Sequence, residues 1–296
     1  PQTIVGIFPT NPIEVMAEGK MLQIVIAAAI FGLALLMIPR SESKAMIDLL
    51  GSVQSASIAI VTWLMKFAPI VVFGLLAQVT IKVGAEAFLG LTVYVITVLG
   101  ALLSLMALYM VILYTVSGRS PLQFLRNARE PMIIAFSTSS SSATMPVTLK
   151  TAETKLKIHP TVSRLVIPLG TTINMDGTAA YQAVVVVFLA KVFGVELGGA
   201  ELVTLLGLTI AASIGAPGMP GGGTPILIGI LLSFNMPSEG IALILSMDRI
   251  LDMCRTTVNV TGDMVTATVM ERISGLAGED APPSIAERFI GRFKRT

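Results

Sequence analysis

The sequence predicts an all-α integral membrane protein, with several spanning helices, two re-entrant helical hairpins and one broken helix. Three observations predict it. The 296-residue chain is 54% hydrophobic and 13% charged, with a mean hydropathy of +0.83, whereas soluble domains carry about 25% charged residues. Several uncharged apolar runs reach the roughly 20 residues that a helix needs to cross a bilayer. Between them stand polar, Gly- and Pro-rich interruptions flanked by apolar arms too short to span. Irregular backbone is tolerated at membrane depth only where protein or a water-filled cavity satisfies its polar groups. The interruptions therefore predict a buried polar site.

Composition removes other classes. The single cysteine, Cys254, excludes an internal disulfide and a cysteine-rich metal site, and the single histidine, His159, excludes a histidine cluster. A net charge of +2 without a basic stripe points to no nucleic-acid partner. The opening "PQTIVGIFPTNP" reads as a connection entered from something upstream, so an N-terminal part is expected outside this chain.

The elements follow in order. Residues 21–39 form an apolar span bracketed by Lys20 and Arg40. Residues 45–81 give a longer helical stretch, interrupted by Lys66 and bent at Pro69. Residues 84–116 make a third span. "SGRSPLQFLRNARE" follows, and its Arg119, Arg126 and Arg129 mark a cytoplasmic connection by the positive-inside rule. The basic tail "ERFIGRFKRT" belongs on the same side, which makes residues 271–296 a cytoplasmic tail of a multi-pass protein of the cell membrane.

Beyond residue 130 the pattern breaks. "PMIIAF" runs into "STSSSSATMP", an arm too short to span, and predicts a hairpin over about 121–156. "GAPGMPGGG" separates two further short apolar arms and predicts a second hairpin over about 200–235, its tip a mobile lid. Between them, "TTINMDGT" interrupts an otherwise spanning run. Paired interruptions of this kind point to a secondary transporter's binding site.

"MDRILDMCRTTVNVTGD" then places Asp248, Asp252, Arg255, Asn259 and Asp263 on one helical stripe at about 100° per residue, with Thr256 at its edge and Arg249 just off it. Ionisable residues within a membrane helix face a bundle interior or a cavity. A salt-bridge ladder that fixes packing is the alternative; an arginine, an asparagine and a threonine beside acids favour a recognition surface. The four serines 139–142, a plain linker elsewhere, here offer hydroxyls and helix N-terminal N–H groups to an anion. Asn174 and Asp176 supply hard oxygens suited to Na+, with the Met175 sulfur beside them as a weak ligand. His159 reads as solvated and Cys254 as packing. An intramembrane serine protease lacks a general base near its serine. An aspartyl dyad would leave the hairpins and Arg255 without a purpose.

Together, "FSTSSSSATMPVTLK", "LGTTINMDGTAAYQ", "SIGAPGMPGGG" and "DMCRTTVNVTGD" resemble the glutamate/aspartate transporter family, the sodium:dicarboxylate symporters to which the excitatory amino acid transporters belong, in register from about residue 8 to residue 270. The resemblance implies a membrane-embedded homotrimer working by elevator-type alternating access, with residues 1–82 as scaffold, 83–270 as transport domain and the second hairpin as extracellular gate. It implies sodium-coupled symport of aspartate or glutamate, without enzymatic activity. A proton-coupled dicarboxylate carrier or a neutral amino acid carrier of the same fold is the alternative.

By the same resemblance, Ser139, Ser140 and Ser141 form the substrate-facing tip. Asn259 shares the substrate's α-carboxylate with that tip, and Thr178 lies close by. Met219 and Gly223 offer lid backbone, Asp252 and Thr256 take the ammonium, and Arg255 takes the side-chain carboxylate. One sodium ion would sit on Asp263 with carbonyls of Gly170, Asn174 and Asn259. A second would sit among carbonyls of Thr172, Ser213, Ile214 and Ala216 near Met175, and a third on Asn174 and Asp176, completed by residues of the expected upstream part. The chain departs from many relatives at Ser139 and Met253, where one or the other position carries an additional arginine, and in the Pro217 and triple-glycine lid.

Overall fold

The computed structural model describes residues 10–17, 21–67, 70, 73–74, 86–234, 236 and 238–278, and all regular structure among them is helical. The expected bend at Pro69, the opening nine residues and the basic tail "ERFIGRFKRT" lie outside the described residues. α1 (Pro12–Ala17), α2 (Met21–Met37) and α3 (Arg40–Leu64) come first, α3 running into a 3-10 turn at Met65–Phe67. Many of their described side chains are exposed, among them Leu36 at 79% and Trp63 at 58%. The core instead lies among the later helices.

α4 (Glu86–Ile112) ends in a π-helical turn, Leu113–Ser117, closed by Gly118 at φ 69°. α5 (Pro121–Thr138) and α6 (Ser141–Thr154) pack along each other as the first hairpin. α7 (Pro160–Ile173) and α8 (Asp176–Phe193) form the broken helix. α9 (Gly199–Ile214) and α10 (Thr224–Ser233) flank the lid, and α11 (Ser238–Ile273) closes the order. The stretches Leu91–Ser117 and Pro160–Phe193 are long and apolar enough to cross a membrane.

The lid interruption spans residues 215–223 as expected, but the other two are shorter than the sequence implies. The first apolar arm does not stop at residue 136. α5 continues to Thr138, because Ser137 and Thr138 turn their hydroxyls back onto the carbonyls of Ile133 and Ile134, each at 2.8 Å. Only Ser139, left-handed at φ 53°, and the extended Ser140 leave the helical path. Likewise only Asn174 and Met175 leave it between α7 and α8. Hydroxyl-rich sequence signals a break, but satisfied hydroxyls let a helix run on through it.

α11 is the hub, packed against α4, α5, α7 and α8. Leu251, Val258, Val260, Met264 and Ala267 bury its apolar sides. At its far end Glu271, 2% exposed, accepts from the Arg119 guanidinium at 2.8 Å and from the His159 backbone N–H at 2.7 Å. Arg119 also donates to the Leu156 carbonyl. This clasp ties both ends of the first hairpin to the end of α11. Glu271→Ala leaves Arg119 without its carboxylate, and breaking such a buried pair costs about 3–5 kcal/mol. A clear fall in the thermal unfolding midpoint of the purified protein is expected, with a smaller fall for Glu271→Gln.

Candidate functional site

The charged stripe of α11 is buried along its length, from Asp248 at 8% to Asp263 at 1%. It divides into two environments. In the first, Arg255 donates through Nε to Asp252 Oδ1 at 2.9 Å and through Nη1 to Asp248 Oδ1 at 3.1 Å. Its guanidinium carbon lies 4.4 Å from the centroid of the Tyr181 ring, a cation–π contact. The Tyr181 hydroxyl donates to Asp248 Oδ1 at 2.8 Å. One guanidinium nitrogen, Nη2, is buried without a hydrogen-bond partner. The ladder reading of the stripe is thus realised at its first three charges, and a cationic donor is left over from it.

The second environment holds carboxylates with no cationic partner. Asp263 Oδ1 accepts from the Asn174 amide at 3.0 Å, and Asp176 Oδ2 from the Tyr109 hydroxyl at 2.7 Å. Among the described residues, no lysine or arginine forms an ion pair with either acid. Asp263 presses so closely on α7 that a Cβ at Gly170 would lie 2.4 Å from its Oδ1. Neutral dipoles alone compensate poorly for a buried charge.

Asn259 lies between the two environments. Its Oδ1 accepts from the Gly177 N–H at 2.7 Å, which holds the start of α8 against α11. Its Nδ2 reaches Thr178 Oγ1 and the Met175 sulfur, both at 3.2 Å. The break at Asn174–Met175 is therefore stitched to α11 by side chains on both partners.

The two hairpin tips meet over this surface. Ser140 caps α6, accepting from the Ala143 N–H at 3.1 Å, and its hydroxyl donates to the Gly218 carbonyl at 2.7 Å. The Ser142 N–H reaches the same carbonyl at 3.0 Å. A Cβ at Gly218 would meet Ser142 Oγ at 2.6 Å, so only glycine permits this approach. Farther along the lid, Gly221 at φ 71° turns its N–H onto Asp252 Oδ2 at 2.8 Å. The Gly223 carbonyl accepts from Gln182 Nε2 at 3.3 Å, and Thr224 Oγ1 donates to Asp248 Oδ2 at 3.1 Å. The run of three glycines lets the lid backbone lie flat on the acids of α11.

A small cavity remains beneath the lid, with about 10 Å³ open to the centre of a water-sized sphere, room for about one water. Ser139, Ser141, Met175 and Thr178 line one side, and Asp252, Arg255, Thr256 and Asn259 the other, under Ala216, Met219 and Gly223. Of the expected substrate contacts, Ser140 alone is outside this lining, its hydroxyl committed to the cap and the lid. The Ser139 hydroxyl is buried without a partner. Among the expected sodium ligands, Thr172 and Ser213 return their hydroxyls to carbonyls one turn back, and the Ile214 side chain is 48% exposed. The hydroxyls of Thr172 and Ser213 are thus committed within their own helices.

Sequence reasoning did not assign Asp248, Tyr181, Thr224, Gln182 or Tyr109. Asp248 was visible on the stripe, and Tyr181 one turn after Gly177; Thr224 and Tyr109 had no local signal. Thr224→Val removes one of the lid's anchors, worth about 1 kcal/mol. The open population of the lid should rise about fivefold, read as faster labelling of a cysteine introduced at Met219.

The chain matches the model of the sodium:dicarboxylate symporter family over residues 1–273. It is 35% identical over 276 residues to excitatory amino acid transporter 3 of Mus musculus, covering 93% of this chain and 53% of that protein. A putative sodium-dependent excitatory amino acid transporter of Caenorhabditis elegans is 33% identical over 270 residues, 90% of this chain and 54% of the relative. Neutral amino acid transporter B(0) of Mus musculus is 34% identical over 258 residues, 86% of this chain and 46% of the relative. The chain spans about half the length of the curated relatives it matches. Matched over nearly all its described helices, it is a membrane-embedded member of the sodium:dicarboxylate symporter family.

Proposed function

We propose that the protein is a sodium-coupled symporter of acidic amino acids, with the α9–α10 hairpin as the gate over its substrate site. The observation that carries this reading is the buried, unpartnered Nη2 of Arg255 in a cavity whose other wall holds the buried, unpartnered hydroxyl of Ser139. Both are anion donors, and a guanidinium is matched in plane by a carboxylate. Lifting the lid removes the Gly221 N–H from Asp252 Oδ2, freeing an acid for an ammonium beside a guanidinium for a carboxylate. Those are the complements of an amino acid with a second acid group.

Charge supports the coupling ion. Asp176, Asp248, Asp252 and Asp263 are set against Arg255 and Arg249, an excess of two negative charges in a largely buried core. An acidic amino acid adds one more. Cations must enter with it, and Asp263 and Asp176, which lack cationic side-chain partners among the described residues, are the places to receive them. Asp263 and Asn174 fit a hard cation through their oxygens, as do Asp176 and the unwound backbone beside it. The ion would neutralise these carboxylates and so link its own binding to that of the substrate. The remaining parts of the reading are a trimeric assembly, a scaffold in residues 1–82, a transport domain in 83–270 and a cytoplasmic C-terminus. The four-motif resemblance supports the first three, and the positive-inside rule the last.

Uptake of labelled aspartate into proteoliposomes, with and without an inward sodium gradient, tests the reading directly. Sodium-dependent uptake is expected; uptake that followed a pH gradient and ignored sodium would overturn the assignment. Asp263→Asn should sharply weaken the sodium dependence. Arg255→Cys should lose aspartate and glutamate by about tenfold to a hundredfold in affinity, since a hydrogen bond between charged groups is worth about 1.5–3 kcal/mol. The same variant should gain alanine or serine, a substrate class that the neutral relative makes worth measuring. Arg255→Lys keeps the charge but loses the planar fork, so it should also be impaired. Unchanged aspartate affinity in Arg255→Cys would move the carboxylate contact elsewhere, with Arg249 the next candidate.

A further inference from the structure

Tyr109 belongs to α4, far from every interruption in the sequence, yet its hydroxyl lies 2.7 Å from Asp176 Oδ2. The ring is 7% exposed and is pressed against the α11 backbone. A Cβ at Gly262 would lie 2.7 Å from the phenolic oxygen, 2.9 Å from Cζ and 3.1 Å from Cε2. Gly262 immediately precedes Asp263, so this one ring is wedged between the segments that carry Asp176 and Asp263, neither of which has a cationic partner among the described residues. Asn174, two residues before Asp176, holds Asp263 in turn. Tyr109, Asp176, Asn174 and Asp263 thus form a cluster of oxygen- and amide-bearing groups drawn from α4, the α7–α8 break and α11.

We propose that the Tyr109 oxygen is a ligand of the cation that binds Asp176. The inference rests on the sodium reading above and adds a residue that neither the sequence motifs nor the family resemblance supplies. The ring is walled in by Gly262, so the phenolic oxygen cannot withdraw when a cation reaches Asp176. Only its hydrogen can move, by rotation about the C–O bond. A hydroxyl has one donor and two acceptor lone pairs. It donates to Asp176 when no cation is present and turns lone pairs towards the ion when one is bound. The spacing suits both states. Cation–oxygen distances of about 2.3–2.6 Å, as for calcium, an ion of nearly the same radius as sodium, place neighbouring ligand oxygens roughly 3–3.5 Å apart. That asks for less than an ångström of adjustment from the observed contact. The same ring bears on the residue next to Asp263, so filling the Asp176 position steadies the neighbouring carboxylate as well.

The test is sodium-dependent thermal stability of the purified full-length protein without substrate, with choline replacing sodium at constant ionic strength. Tyr109→Phe removes the oxygen and keeps the ring on Gly262. If the oxygen is a ligand, the half-saturating sodium concentration should rise about tenfold in Tyr109→Phe, and Gly262→Ala, which displaces the ring, should raise it too. If the hydroxyl only occupies Asp176 as a competing donor, its removal lowers that concentration. An unchanged or lowered value in Tyr109→Phe therefore overturns the inference while leaving sodium coupling intact. A wild-type protein whose stability ignores sodium overturns the sodium reading itself, and this inference with it.

Discussion

Arg255 carries a full charge at 2% exposure, and a charge survives in an apolar core only where its surroundings replace the water it has lost. Here the replacement is shared among Asp252, Asp248 and the face of Tyr181. Each of those partners is held in turn. Asp248 accepts from Tyr181 and from Thr224 of the lid helix, and Asp252 from the lid N–H at Gly221. The lid therefore packs on α11 through the acids that compensate the guanidinium. Moving the lid changes the polar surroundings of Arg255, and changing what Arg255 binds alters the surface on which the lid closes.

Two acids close to this cluster are handled differently. Asp263 and Asp176 meet an amide and a phenol, both neutral. Within one core, the same side-chain type is satisfied by a permanent cation in one place and only partly in another. The first set leaves a cationic donor over at the cavity; the second leaves two carboxylates held by neutral donors. Asn259, bonded to Gly177, Thr178 and Met175, stands between the two. It gives the unwound segment a fixed position with respect to both.

Arg255 is held internally on two of its nitrogens, by Asp252 and Asp248. Among the described residues Nη2 is left without a hydrogen-bond partner, and the buried, unpartnered Ser139 hydroxyl belongs to a residue lining the same cavity. Arg249, just off the stripe, has a buried and unpartnered Nη1, but it does not line the cavity.

The sequence by itself determined the helical class, the places where helices break and the shared face of Asp248, Asp252, Arg255, Asn259 and Asp263. Those features follow from composition and from a 3.6-residue period, which are local. It placed the lid break at its full length but overstated the break at the first hairpin, because whether Ser137 or Thr138 ends a helix depends on where each hydroxyl finds an acceptor. Only the tertiary structure decided the pairings: Arg255 with two acids at once, Tyr181 and Thr224 on Asp248, and Tyr109 on Asp176. Tyr109 and Asp176 are 67 residues apart and join because α4 and α8 pack together and Gly262 leaves room for a ring between them. No periodicity encodes such a meeting, since it depends on three segments arriving at one point.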